Sequence, residues 1–63
     1  MLLDGFLWAE IDLLHRALVG FEVIDQEYVD AVQAEAEQMS LLQQNDYLNR
    51  LHQVVSAEMK ARG

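Results

Sequence analysis

The chain has no cysteine, no proline, three glycines, and only four lysines and arginines among its 63 residues. Without cysteine there are no disulfides and no thiolate metal sites. Without proline, and with glycine only at positions 5, 20 and 63, no strong breaker stands inside a helical run. Eleven acidic residues against four basic ones give a formal net charge of −7. Such a chain repels phosphate backbones, so direct nucleic-acid binding is not expected, while basic partner surfaces are favoured. A chain this short buries only roughly 60% of its unfolded surface, so its own core is marginal. With disulfides excluded and only two histidines to hold a metal, association is the remaining way to gain stability.

The chain is 52% hydrophobic, and it is rich in Ala, Leu, Glu and Gln. That is all-α composition, with no alternating strand pattern bounded by turns. One small helical domain is expected over residues 1–63. Its most apolar stretch is Leu2–Val19. Asp4 is a candidate N-cap there, and a short helix is predicted over 4–19. Leu7, Ile11, Leu14 and Leu18 repeat at i, i+4, i+7 and i+11. Asp12 and Arg16 form an i,i+4 pair on a narrow polar strip. Glu10 falls inside the apolar arc and is the one misfit. Gly20 is expected to end the helix at C′.

The same N-terminal run lacks a basic leader, and Asp4, Glu10, Asp12, His15 and Arg16 interrupt it. Neither a signal peptide nor a membrane span is expected, and the expected location is cytoplasmic.

Asp25 is a good N-cap for a second helix, with Ile24 and Val29 placed as a hydrophobic staple. Val29, Val32, Ala36 and Met39 then make a narrow seam. A second stripe, Leu41, Leu48, Leu51, Val55 and Met59, lies about 140° around the helix from the first. Either the chain breaks near Ser40, where Ser40-x-x-Gln43 can form a capping box, or one long helix touches different neighbours along its length. With no proline or glycine between 40 and 46, a long or kinked helix over 25–61 is predicted, with the first helix packed along its seam as a hairpin. At about 1.5 Å per residue the first helix covers about 24 Å and the second about 55 Å. The surplus apolar length calls for a second copy, so a homodimeric four-helix-type bundle is expected. Its oligomer core is assigned to Leu7, Ile11, Leu14, Leu18, Val29, Val32, Met39, Leu48, Leu51 and Val55.

Chemistry is sparse. There is no Ser–His–acid spacing and no glycine-rich phosphate loop, and the chain is too short to enclose a pocket. No catalytic residue and no cofactor are expected, so an enzyme is not. Asp12-x-x-His15 with Glu10 is the one arrangement that could hold a metal in a bundle, but neither histidine has a glutamate three residues before it. A metal- or ligand-binding bundle is therefore the alternative to the leading expectation.

That leading expectation is a small acidic interaction protein: a regulator, inhibitor or accessory subunit that binds a larger protein with a basic or apolar surface. Composition of this kind suits phage or mobile-element roles such as host takeover or anti-defence. Trp8, Tyr28 and Tyr47 are candidate aromatic anchors, and Asp30, Glu35 and Glu37 candidate acidic contacts. Residues 22–37 carry six acids and no base, so imitation of a DNA backbone is a further variant. The bland alternative is a solvated helix face.

Overall fold

In a computed structural model the chain folds into three α-helices, and residues 5–63 are described: α1 (Gly5–Gly20), α2 (Gln26–Glu35) and α3 (Leu41–Arg62), with a 3-10 turn at Ala36–Gln38. No strand occurs among them. The candidate cap Asp4, with Leu2 and Leu3, lies outside the described residues.

The long helix over 25–61 is not formed. Met39 (φ −85°, ψ 134°) and Ser40 (φ −66°, ψ 162°) are extended, and they separate α2 with its 3-10 turn from α3. No glycine or proline makes this break; local hydrogen bonding does. Ser40 Oγ accepts from the Gln43 backbone N–H at 3.1 Å, and Gln43 Oε1 accepts from the Ser40 N–H at 2.8 Å. This reciprocal capping box satisfies two donors that a helix start otherwise leaves open. Two apolar stripes about 140° apart are what such a break requires, because α3 can then turn its own stripe toward α1.

The packing partner of α1 is accordingly α3, not the seam of α2. Leu7, Ile11 and Leu18 from α1 meet Leu48 and Leu51 from α3 in one buried cluster, edged by Trp8, Leu14, Phe21, Ile24, Tyr47 and Val55. Contacts advance in the same direction along both helices: Trp8 with Gln44, His15 with Tyr47, and Phe21 with Arg62. Helices α1 and α3 therefore run parallel, and α2 is the return segment that makes this possible. Folding of α3 back over α1 takes up part of the apolar surplus inferred from a two-helix hairpin, while Leu41, Leu42 and Met59 remain exposed. Of the residues assigned to an oligomer core, Leu7, Ile11, Leu18, Val29, Leu48 and Leu51 are buried within the single chain, and Leu14, Val32, Met39 and Val55 are half-buried.

Helix α1 also ends differently from expectation. Gly20 has no positive φ; Glu22 does, at 64°. Val23 N–H donates to Leu18 C=O and Glu22 N–H to Val19 C=O, both at 3.0 Å. This is the Schellman pattern with Glu22 at C′, the position that favours glycine. Tertiary contacts account for the overshoot. Phe21 packs on the core, its carbonyl accepts from Arg62 Nη2 at 2.6 Å, and the Arg62 guanidinium lies 4.8 Å from its ring centroid. The expected cap of α2 forms: Asp25 Oδ1 accepts from Tyr28 N–H at 2.8 Å. Lys60 and Arg62 occupy the last turn of α3, where positive charge suits the helix dipole. The radius of gyration is 11.8 Å, against about 10.6 Å for a compact globule of this length, so the fold is somewhat elongated.

Candidate functional site

Two buried polar contacts join α1 to α3, and both use residues that sequence pattern places elsewhere. Trp8 Nε1 donates to Gln44 Oε1 at 2.9 Å, and Gln44 Nε2 donates to the Met39 carbonyl at 2.9 Å. Gln44 is 1% exposed. Its amide ties together α1, the extended break and the first turn of α3, with donor and acceptor both used. Trp8 therefore braces the fold. A buried glutamine carries no periodic signal, so sequence reading misses it.

The second contact is His15 Nε2 with Tyr47 Oη at 2.7 Å. His15 is also 1% exposed, and its Nδ1 has no hydrogen-bond partner. Burial lowers the His15 pKa from 6.5, with the Asp12 carboxylate partly offsetting this. The imidazole is therefore held neutral. Burial likewise raises the Tyr47 pKa, helped by a hydrogen bond with Tyr28 and by that phenol's charge. The His15–Tyr47 contact thus runs from the buried imidazole to a half-buried phenol. It keeps its protons in place at neutral pH, as a structural contact does. The i, i+7 spacing of Trp8 and His15 was the available hint that both face α3.

The three residues considered for a metal do not converge. Asp12 Oδ2 lies 3.1 Å from Arg16, and Glu10 Oε1 lies 3.6 Å from His52 Nε2. Glu10, expected inside the apolar arc, is exposed at the α1–α3 edge. Among the described residues no group of three or more His, Asp or Glu side chains is placed to hold a metal ion. No helix of the described residues is long and apolar enough to cross a membrane.

At the surface, Tyr28, Ala31, Val32, Glu35, Met39 and Tyr47 line one groove of about 350 Å³ between α2 and the start of α3. Three of the six expected partner-binding residues, Tyr28, Glu35 and Tyr47, meet here. Tyr28 remains 45% exposed. At about 100° per residue, Asp30 falls on the outer face of α2, roughly opposite the groove, and Glu37 lies in the following 3-10 turn; both are exposed. A second, shallower concavity of about 780 Å³ follows the α1–α2 turn past Glu22, Val23, Asp25 and Tyr28. Tyr28 stands on the ridge between the two. No family model, curated protein or solved structure matches this chain.

Proposed function

We propose that the chain is a small, acidic, non-enzymatic interaction module that binds a larger protein bearing a basic and apolar surface. The observation that carries this is the Tyr28 groove. A half-exposed aromatic sits between two concavities, on a segment that holds six acids and no base over residues 22–37. An aromatic projecting from a rigid helix is a good anchor, and surrounding negative charge steers a basic partner toward it. Self-association as a homodimer belongs to the same reading, because Leu13, Leu42 and Met59 are 63%, 80% and 60% exposed although the core is closed.

The test uses the folded chain as bait in extract of its native host, followed by mass spectrometry and by titration of the captured protein. The expected result is a basic partner whose affinity falls at least tenfold with Tyr28→Ala and falls with rising salt. Retention that is indifferent to both changes, or no specific partner at all, defeats the reading. A DNA-groove protein among the captured partners, displaced by duplex DNA, would identify the mimic variant. The acidic outer face of α2 supports that variant only in charge.

A further inference from the structure

The groove between α2 and the start of α3 is anionic at a helix end where a base would be favourable. Four of its lining residues, Tyr28, Ala31, Val32 and Glu35, make one stripe of α2 at i, i+3, i+4 and i+7. Glu35 is the last residue of α2, and neither the last turn of that helix nor the 3-10 turn after it carries a base. The carbonyl end of a helix is already partly negative, so a carboxylate there is unfavourable and a cation is favoured. Glu37 adds a second carboxylate in the 3-10 turn.

The chain does not answer this charge itself. Its three arginines pair with Asp12, Asp46 and Glu58 on their own helices, at 3.1, 3.2 and 3.2 Å. Lys60 lies in the last turn of α3, about 20 Å along that helix from Tyr47. Among the described residues Glu35 and Glu37 form no ion pair. The other walls of the groove are aromatic or apolar: Tyr28, Tyr47, Ala31, Val32 and Met39. A slot with such walls and one carboxylate suits a group with an apolar stem and a cationic tip. Arginine suits it better than lysine. A guanidinium is planar, stacks on aromatic rings, pairs with a carboxylate through two N–H groups and is less strongly hydrated than an ammonium.

We infer that the groove seats one arginine side chain of the partner protein, with the guanidinium against Tyr28 and Glu35 and the methylene stem along Val32 and Met39. The assignment rests on the interaction-module reading and names what the partner inserts. It is narrower than attraction to a basic surface. It depends on Glu35, which lines the groove, and not on Asp30 or Glu37, which carry the same charge outside it.

The probe is n-butylguanidinium, the working end of an arginine side chain, titrated into the folded chain at constant ionic strength and followed by amide NMR. Saturable shifts are expected at Tyr28, Glu35 and Tyr47, with a Kd on the order of 10 mM, the range for one ion pair with one cation–π contact. n-Butylammonium and n-butanol should both bind more weakly. Glu35→Gln and Tyr28→Leu should each weaken n-butylguanidinium by about threefold or more, whereas Glu37→Gln should change it by less than about twofold. All three positions are exposed, and the same spectra report whether each variant keeps its fold. No saturable shift at the groove, or n-butanol binding as tightly, overturns the arginine seat. Equal losses from Glu35→Gln and Glu37→Gln overturn it by leaving only a diffuse acidic field, and a preference for n-butylammonium overturns the choice of arginine. Groove shifts that grow with protein concentration alone give the groove to a second copy and overturn it as well. None of these results decides the wider reading, which stands or falls with capture of a Tyr28-dependent partner.

Discussion

His15 makes the stability of this fold depend on pH in a calculable direction. In the native state the ring is 1% exposed, one nitrogen bonds Tyr47, and the other has no partner. Adding a proton places a charge in the core and leaves an N–H donor unsatisfied whichever nitrogen held the first proton. The folded pKa therefore lies below 6.5, the value regained on unfolding. Below pH 6.5 the unfolded chain binds more protons than the folded one, so stability falls as pH falls. Above that value the contribution is fully present. Between the folded and unfolded pKa values the loss approaches about 1.4 kcal/mol per pH unit. A chain of this size has only about 3–9 kcal/mol of stability in all, so one or two pH units are consequential.

The assay is urea unfolding followed by circular dichroism at half-unit steps from about pH 5 to 8, on the native chain and on His15→Gln. Gln keeps a hydrogen-bonding group for Tyr47 but does not titrate. The native chain should lose stability on acidification more steeply than the variant, and the difference between the two curves isolates His15 from the carboxylates. His52, which is exposed, remains in both and cancels. Parallel curves would refute the argument that burial keeps the ring neutral.

Three further outcomes follow from individual contacts. Trp8→Phe leaves the buried Gln44 Oε1 without its donor and should cost about 1–3 kcal/mol; circular dichroism must report it, because Trp8 is the one tryptophan. Glu22→Gly relieves a left-handed backbone at φ 64° and should raise the urea midpoint by about 1 kcal/mol equivalent; a loss would show that the Glu22 side chain has a stabilising role of its own. Ser40→Ala removes one arm of the capping box and should cost about 1 kcal/mol, while leaving Trp8 fluorescence nearly native if α3 still starts at Leu41.

Much of this fold is legible in the residues. The helical class, the first apolar stripe, the Asp25 cap and the Ser40–Gln43 box are all local or periodic signals, and each is found where its pattern stands. The break at Met39–Ser40 was legible too, through the 140° jump between stripes, but the lack of glycine and proline pointed the other way. Capping can end a helix as surely as a breaker when tertiary packing rewards it. Of the residues proposed for partner contact, Tyr28, Glu35 and Tyr47 share a groove, and Trp8 is hydrogen-bonded to Gln44. What the sequence hides is which polar residues go inside. Gln44 has no periodic mark distinguishing it from solvated residues and His15 only its i, i+7 spacing from Trp8, because their burial depends on a partner 36 and 32 residues away.

Those two contacts also explain why α1 and α3 settle in one register. The aliphatic cluster of Leu7, Ile11, Leu18, Leu48 and Leu51 could tolerate a slide of one helix turn with modest loss, since apolar surfaces of similar volume exchange readily. Trp8–Gln44 and His15–Tyr47 could not. A one-turn slide would leave the buried Gln44 amide and His15 imidazole unpaired, each at about 1–3 kcal/mol. That is a large share of the about 3–9 kcal/mol of a domain this size. Two buried polar side chains therefore do most to fix the register, and the aliphatic residues supply the drive to collapse.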